Sequence, residues 1–93
     1  MNFFVYLLVA KSKKKLISYV GYTNNLKKRL DLHNSSKGAK FTKGRFWTLI
    51  YKKKFRSKSR ALKEEYYLKK NYRLRSVIKR KYLENENFNF TSL

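Results

Sequence analysis

The sequence feature that most constrains the fold is an uninterrupted apolar run of eight residues from Phe3 to Ala10. The run is rich in β-branched and aromatic residues and is apolar at both odd and even positions, which predicts a strand covered on both faces. We therefore expect this strand to lie at the centre of a sheet. Because a membrane-spanning helix needs roughly 20 apolar residues, the run does not predict a membrane span. The predicted helices have no broad apolar face beyond what the core needs, so a membrane partner is not expected.

Charge is the second constraint. The 93 residues include 25 Lys and Arg against 5 Asp and Glu, which gives a formal net charge of +20. Such a field attracts phosphate-rich polymers, so nucleic acid is the expected partner. The hydrophobic fraction of 42% is too high for a disordered basic tail. We therefore expect one small domain over residues 1–84, followed by a flexible C-terminal tail over 85–93.

The rare residue types exclude several kinds of site. The sequence has no cysteine and one histidine, which excludes a disulfide framework, a thiolate zinc site and a histidine cluster. Any metal must therefore be a hard cation bound by oxygen. The apolar run has no basic residue before it and no small-residue cleavage site after it, unlike a signal peptide. The expected location is the cytoplasm, including association with the nucleoid.

The order of the predicted elements gives the fold class. Strand-like segments, the first two forming a hairpin, cover residues 3–10, 16–22 and 46–51. Helical segments cover 26–34, a stretch capped by Ser57 or Ser59 that reaches about Lys70, and a stretch after Asn71. The order strand, strand, helix, strand, helix, helix predicts an α+β fold, in which helices flank a small three-stranded antiparallel sheet.

Three polar side chains interrupt the inward faces of the predicted helices. Arg29 and His33 lie one turn apart beside the apolar stripe of the first helix, a spacing that is common in structural pairs. Glu65 projects onto the inward face of the second helix, although an ion pair with Lys69 would also explain it. Because the chain has only five acidic residues, Glu65 is the best-placed carboxylate for a divalent cation.

Two tyrosines lie on the paired strands, Tyr6 on the first and Tyr19 on the second. The chain has eight tyrosines, so a core role for both is the simplest interpretation. Gly21 follows Tyr19 by two residues, and a residue without a Cβ permits a close backbone approach there.

The order of these residues is specific. It resembles the GIY-YIG nuclease domain over roughly residues 3–70, above all small single-domain members and the nuclease domain of structure-specific junction endonucleases. The residues that carry the resemblance are, in chain order, Tyr6, Tyr19, Val20, Gly21, Arg29, His33 and Glu65. The chain departs from the family pattern at Phe4, where the family name has its first glycine.

The resemblance implies an endonuclease that hydrolyses phosphodiester bonds with a single divalent ion, Mg²⁺ or Mn²⁺, held by Glu65. It implies that Tyr19 helps to activate water and that Arg29 grips the scissile phosphate. Tyr6 and His33 would support them through proton and hydrogen-bond contacts. The choice of general base among Tyr6, Tyr19 and His33 stays open.

The expected substrate is structured or branched DNA in repair or recombination, with RNA as a second option. Backbone phosphate contacts are predicted for Lys27, Lys28, Lys40, Lys43 and Arg45. Phe41, Phe46 and Trp47 could stack on exposed bases, although a core role is favoured for Trp47.

A protein partner could supply specificity, and the oligomeric state is open. The alternative is a non-catalytic basic module that binds nucleic acid, associated with RNA or the ribosome.

Overall fold

Three strands and three α-helices follow one another in the predicted order, in a computed structural model that describes residues 1–38 and 40–91. The strands are β1 (Phe3–Ser12), β2 (Lys15–Thr23) and β3 (Thr48–Phe55). The helices are α1 (Leu26–Asn34), α2 (Lys58–Lys70) and α3 (Tyr72–Thr91), and a 3₁₀ turn covers Lys40–Thr42. The predicted α+β fold class is confirmed.

The apolar run forms the centre of the sheet, as predicted. The strand order is β2-β1-β3, and β1 pairs antiparallel with both neighbours. All residues from Val5 to Ala10 are buried. The hairpin between β1 and β2 turns through Lys13 and Lys14, with Lys13 in the left-handed region at φ 58°.

The two sides of β1 contribute to two different cores. We call the first the apolar face, and it consists of Val5, Leu7, Val20, Phe55, Ala61 and Leu68. We call the second the site face, and it consists of Tyr6, Leu8, Ala10 and Trp47. Helix α2 covers the apolar face, and Ile78 of α3 packs against it. Helix α1 covers the site face through Leu26 and Leu30.

The ends of the helices are set by short polar side chains. Asn25 caps α1 by accepting a hydrogen bond from the Lys28 N–H at 3.1 Å. Ser57, one of the two predicted candidates, caps α2. Asn71 separates α2 from α3, and its Oδ1 accepts from the Leu74 N–H at 3.0 Å. These caps fix where each helix begins, and therefore how its side chains face the sheet.

The third strand begins later than predicted. Composition predicts residues 46–51, whereas β3 begins at Thr48 and ends at Phe55. The Asn34 side chain takes the place of a strand partner for Trp47: the Trp47 N–H donates to Asn34 Oδ1 at 2.6 Å, and Asn34 Nδ2 donates to the Trp47 carbonyl at 3.1 Å. Trp47 is therefore held outside the strand.

The strand also extends through three consecutive lysines, 52–54, beyond its predicted end at Tyr51. Their backbones pair with β1 while their side chains stay exposed. Lysines are common on edge strands, where their charge opposes pairing with another chain. The predicted strand ends with its apolar and aromatic residues, whereas the edge position of β3 accommodates exposed lysines.

The C-terminal boundary differs as well. Helix α3 continues to Thr91, so the backbone of 85–91 is helical and the predicted boundary after residue 84 lies within a helix. Neither proline nor glycine occurs in this stretch to end the helix. Residues 92 and 93 lie outside the described part of the chain, and the flexibility of 85–93 stays a prediction. In the described ranges no helix is both long and apolar enough to span a bilayer.

Candidate active site

A buried hydrogen-bonded chain of three side chains forms the centre of the site face. The Tyr6 hydroxyl lies 2.9 Å from His33 Nε2, and His33 Nδ1 lies 2.9 Å from Thr42 Oγ1. His33 and Thr42 are fully buried, and Tyr6 is 1% exposed. Both imidazole nitrogens are therefore satisfied by side chains from β1 and from the 3₁₀ turn, which fixes the plane of the ring.

Two glycines leave space for these hydrogen-bonded side chains. Gly21 pairs with Tyr6 across β1 and β2, and a Cβ at Gly21 would meet the Tyr6 hydroxyl and lie 2.5 Å from its Cζ. A Cβ at Gly38 would lie 2.5 Å from His33 Nδ1 and 3.1 Å from its Cα. The predicted close approach at Gly21 is therefore an approach of the Tyr6 ring, and Gly38 provides the same space for His33.

Tyr19 brings a third ring to the cluster from β2. Its centroid lies 5.0 Å from the ring of His33 and 6.4 Å from the ring of Tyr6. Tyr19 is half-buried, whereas Tyr6 and His33 are enclosed. Of these three rings, Tyr19 alone has a surface that faces solvent.

Arg29 supplies a positive charge beside the two tyrosines. Hydrogen bonding with Tyr6 raises the pKa of the Arg29 guanidinium, and the proximity of Tyr19 adds to the effect. Its Nε is buried without a hydrogen-bond partner in the described structure. A buried donor that lacks an acceptor costs about 1–3 kcal/mol. An anionic ligand such as a phosphate would remove that cost and suits the planar guanidinium.

Burial controls the protonation of the two enclosed rings. It raises the pKa of Tyr6 to about 12, a shift that the hydrogen bond from Arg29 opposes and the charges of Tyr19 and Glu65 support. Burial also lowers the pKa of His33, and the Arg29 charge lowers it further. At neutral pH the Tyr6 hydroxyl therefore keeps its proton and His33 is uncharged.

Glu65 on α2 supplies the negative charge near the cluster. Its side chain is 18% exposed, and its Oε2 lies 3.7 Å from the ammonium of Lys69. This ion pair is the alternative explanation that the sequence offered for Glu65, and Lys69 itself is 51% exposed on a flexible stem. The charge of Glu65 is the smallest of several causes that act on the pKa of Tyr6, and it raises that pKa.

Glu65 can hold a divalent ion only where water and phosphate oxygens supply the remaining ligands. Among the side chains that the structure describes, no three from His, Cys, Asp or Glu come together to form a metal cage. A hard cation such as Mg²⁺ can be held by one carboxylate when water and phosphate oxygens complete its coordination. Glu65 fits that arrangement, and a cation would replace the ammonium of Lys69 at its oxygen.

The predicted phosphate-binding residues divide into two groups. Lys27 and Lys28 are exposed on α1, beside an open groove that the sequence did not reveal. Lys40 and Lys43 are exposed in the segment between α1 and β3. Arg45, in the same segment, is half-buried, and its Nη1 donates to the Phe41 carbonyl at 3.1 Å. This second group lies in the segment that provides Thr42 to the site.

Sequence reasoning missed two residues that hold the site together. Thr42 binds His33 through its hydroxyl and accepts the indole N–H of Trp47 at 3.0 Å through its carbonyl. Asn34, on the last turn of α1, binds the backbone of Trp47. No sequence period links residue 42 to residue 33. Only the buried hydrogen-bond partners of the histidine identify Thr42.

Comparison with known proteins assigns the chain to a family. Residues 2–82 match the family described as the GIY-YIG catalytic domain. The chain belongs to the GIY-YIG family. GIY-YIG domains are nuclease domains that act on nucleic acid, so the partner class indicated by charge is also the partner class of the family.

Relatives of this GIY-YIG chain occur in several bacteria. It is 41% identical over 92 residues to a UPF0213 protein of Clostridium perfringens, which covers 95% of this chain and 94% of the relative. It is 46% identical over 67 residues to a UPF0213 protein of Oceanobacillus iheyensis, covering 71% and 74%. A solution NMR structure of a UPF0213 protein from Bacillus halodurans aligns at 33% identity over 87% and 86% of the two chains, with a TM-score of 0.47.

Proposed function

We propose that this GIY-YIG protein is a metal-dependent endonuclease that hydrolyses phosphodiester bonds of structured or branched DNA. One observation carries the proposal: β1, β2 and α1 bring two tyrosines, an arginine and a histidine together, and the charge of Glu65 on α2 acts on the same group. Metal-assisted phosphodiester hydrolysis needs a cation ligand, a phosphate clamp and a group that receives a proton from water. These residue types supply all three.

Access to solvent distinguishes the three candidates for the general base. Tyr6 and His33 are enclosed, and both nitrogens of His33 already have side-chain partners. Tyr19 is half-buried, so its hydroxyl is the one that can contact an attacking water. In this scheme Tyr6 and His33 hold the position of the cluster. Tyr19 first releases its own hydroxyl proton to solvent, and the resulting anion, favoured by the Arg29 charge, receives the proton of the attacking water.

Arg29 and Glu65 have different electrostatic roles in this scheme, one towards the phosphate and the other towards the metal ion. Arg29 binds the scissile phosphate and stabilises the negative charge that grows on its oxygens as the nucleophile attacks. Glu65 would hold Mg²⁺ or Mn²⁺, and the ion would supply Lewis-acid polarisation of the phosphate and a lowered pKa for bound water. The basic residues at 27, 28, 40, 43 and 45 bind flanking phosphates without reading sequence.

The proposal is tested by comparing Glu65→Gln with Glu64→Gln. The two glutamates are neighbours and both are half-buried, but Glu64 lines a different cavity together with Val5 and Phe55. Labelled single-stranded, duplex, flap, fork, four-way-junction and RNA substrates are incubated with and without Mg²⁺ or Mn²⁺. We expect metal-dependent cleavage by the parent and by Glu64→Gln. Because metal catalysis contributes several kcal/mol, Glu65→Gln should cut at least about 100-fold more slowly.

Two results would contradict the proposal. Cleavage by Glu65→Gln at the parental rate would show that the carboxylate has been assigned to the wrong role. Absence of product from every substrate, with binding that depends on salt and not on metal, would instead favour the non-catalytic binding module.

A further inference from the structure

An aromatic side chain beside Tyr19 takes no part in the catalytic scheme. The ring of Phe41 is stacked on the ring of Tyr19, with centroids 6.4 Å apart and an interplanar angle of 20°. Phe41 is nevertheless 51% exposed. A phenylalanine that stays half in water next to a catalytic group offers its free surface to a ligand.

A small cavity continues from this stack. Its volume is about 240 Å³, and it is lined by Ser18, Tyr19, Val20, Phe41, Lys69 and Arg75. Pockets for drug-sized ligands begin at roughly 300 Å³, so this cavity suits one planar group with a charged substituent. It offers two aromatic rings and two cations, which match a nucleobase and a phosphate. Because Tyr19 lines the cavity, an occupant lies directly beside the proposed water-activating hydroxyl.

We propose that Phe41 is a stacking platform for one unpaired nucleobase next to the scissile phosphate. The placement of that phosphate rests on the proposed nuclease function. In a duplex, each base is stacked on both sides and paired at its edge, so reaching Phe41 would require unstacking that costs a few kcal/mol. A single strand presents free base faces at no such cost. The substrate therefore carries a single-stranded segment at the site of cleavage.

The two other aromatic residues of this segment do not fit this role. Trp47 is 1% exposed and belongs to the core. Phe46 is 76% exposed but lines a separate cavity with Val9, Leu16 and Leu83, away from Tyr19. Phe46 therefore serves as a matched control, because it is another exposed phenylalanine of the same segment.

Lys69 connects the cavity to Glu65. Its ammonium lies 3.7 Å from Glu65 Oε2, and its side chain also lines the cavity. A phosphate that binds in the cavity competes with Glu65 for this ammonium. Binding of the strand thus frees the carboxylate oxygen for a cation.

The test measures binding without divalent ions, so that it does not depend on cleavage. The affinities of a fluorescein-labelled oligothymidine and of a duplex of equal length are measured by fluorescence anisotropy for the parent, Phe41→Leu, Phe41→Tyr and Phe46→Leu. Leucine keeps an apolar side chain against Tyr19 but has no aromatic face. Phe41→Leu should bind the single strand about ten-fold more weakly and the duplex unchanged. Phe41→Tyr and Phe46→Leu should bind both as the parent does.

Equal weakening of single-strand and duplex binding by Phe41→Leu, or no weakening at all, would overturn the inference. A second measurement uses the unaltered protein, so it is independent of whether the variants fold. An oligonucleotide that contains 5-iodouracil is photo-cross-linked to the parent and the modified peptide is sequenced. A cross-link at Phe41 supports the platform, and cross-links confined to peptides without Phe41 overturn it.

The two proposals fail in different ways. If the base platform exists but the protein is no nuclease, Phe41→Leu lowers single-strand affinity while no substrate is cut. If the nuclease function holds but the platform does not exist, Glu65→Gln loses cleavage while Phe41→Leu binds the single strand as the parent does.

Discussion

The two faces of β1 differ in chemistry although they alternate along the same strand. The apolar face buries Val5 and Leu7 against hydrophobic side chains of α2. The site face buries Tyr6 and Leu8, and it also encloses the polar atoms of His33 and Thr42. Because a strand sends alternate side chains to opposite faces, neighbouring residues serve different purposes.

This difference shows where the fold can hold polar groups in its interior. Three enclosed polar side chains of the site face are linked by hydrogen bonds, from the Tyr6 hydroxyl through His33 to Thr42, whereas the Nε of Arg29 beside them has no partner in the described part of the chain. A satisfied buried network costs little and holds its members in one geometry. The apolar face, which needs no such partners, stabilises the domain by burial alone. We therefore expect substitutions on the two faces to have separable effects.

The largest expected effect comes from truncating the two adjacent leucines of β1. Leu7→Ala and Leu8→Ala each remove a side chain that is at most 1% exposed, which should lower the free energy of unfolding by about 2–5 kcal/mol. Leu7→Ala should leave the cleavage rate per folded molecule unchanged, whereas Leu8→Ala should also lower it, because Leu8 packs with Tyr6 and Trp47. Urea unfolding and cleavage at saturating substrate measure both quantities. Equal loss of rate in the two variants would show that the faces are not separable.

Arg29→Lys should give the next largest effect. Lysine keeps the positive charge but lacks the planar, bidentate geometry of guanidinium. We expect cleavage to slow by about 100-fold, in the range seen when one transition-state donor is removed, with little change in the urea midpoint. Arg73→Lys, at an exposed arginine of α3 that has no role in the proposed site, serves as the control and should cut normally. Parental activity in Arg29→Lys would mean that only the charge of this residue matters.

Thr42→Val tests the polar network with a smaller change. Valine keeps the shape of threonine but leaves His33 Nδ1 without its hydroxyl partner, which should cost about 1–3 kcal/mol of stability. The cleavage rate should fall as well, because the imidazole loses its fixed orientation. Thr42→Ser keeps the hydroxyl and should recover most of both losses. If Thr42→Ser loses more stability than Thr42→Val, the methyl group of Thr42 matters more than its hydroxyl.

The smallest expected effect is a dependence of stability on pH that originates from the site face. The pKa of His33 is lowered in the folded protein from an ordinary value of 6.5. As the pH falls, the imidazole of His33 therefore takes up a proton in the unfolded chain before it does so in the folded protein. The contribution of His33 to the free energy of unfolding is complete above about pH 6.5 and is lost as the pH falls below that value. The pKa of Tyr6 is raised from 10.0 to about 12. Its contribution is therefore present below pH 10.0 and is lost as the pH rises towards 12.

Urea unfolding across this pH range separates the two contributions. His33→Gln should remove part of the acid-side loss, and Tyr6→Phe should remove part of the alkaline-side loss. Leu7→Ala should keep both, because it alters only the apolar face. An unchanged acid-side slope in His33→Gln would place the titration at another group.

Much of the fold could be predicted from local pattern. The apolar run placed β1 at the centre of the sheet, and the helix signals placed α1 and α2 because capping and side-chain periodicity are local properties. The start of β3 was missed because Asn34, thirteen residues earlier in the chain, binds the backbone of Trp47. The continuation of α3 beyond residue 84 was missed because composition was weighed above the absence of a helix breaker.

The sequence by itself determined the alternation of apolar residues, the strong positive charge and the order of tyrosine, arginine, histidine and glutamate that marks the family. The tertiary structure decided which of these groups are enclosed and which meet solvent. It placed Thr42 against His33, made Gly21 the space for Tyr6 and put Phe41 on Tyr19. These contacts join residues far apart along the chain. No local pattern encodes them, because they form only when the strands and helices pack together.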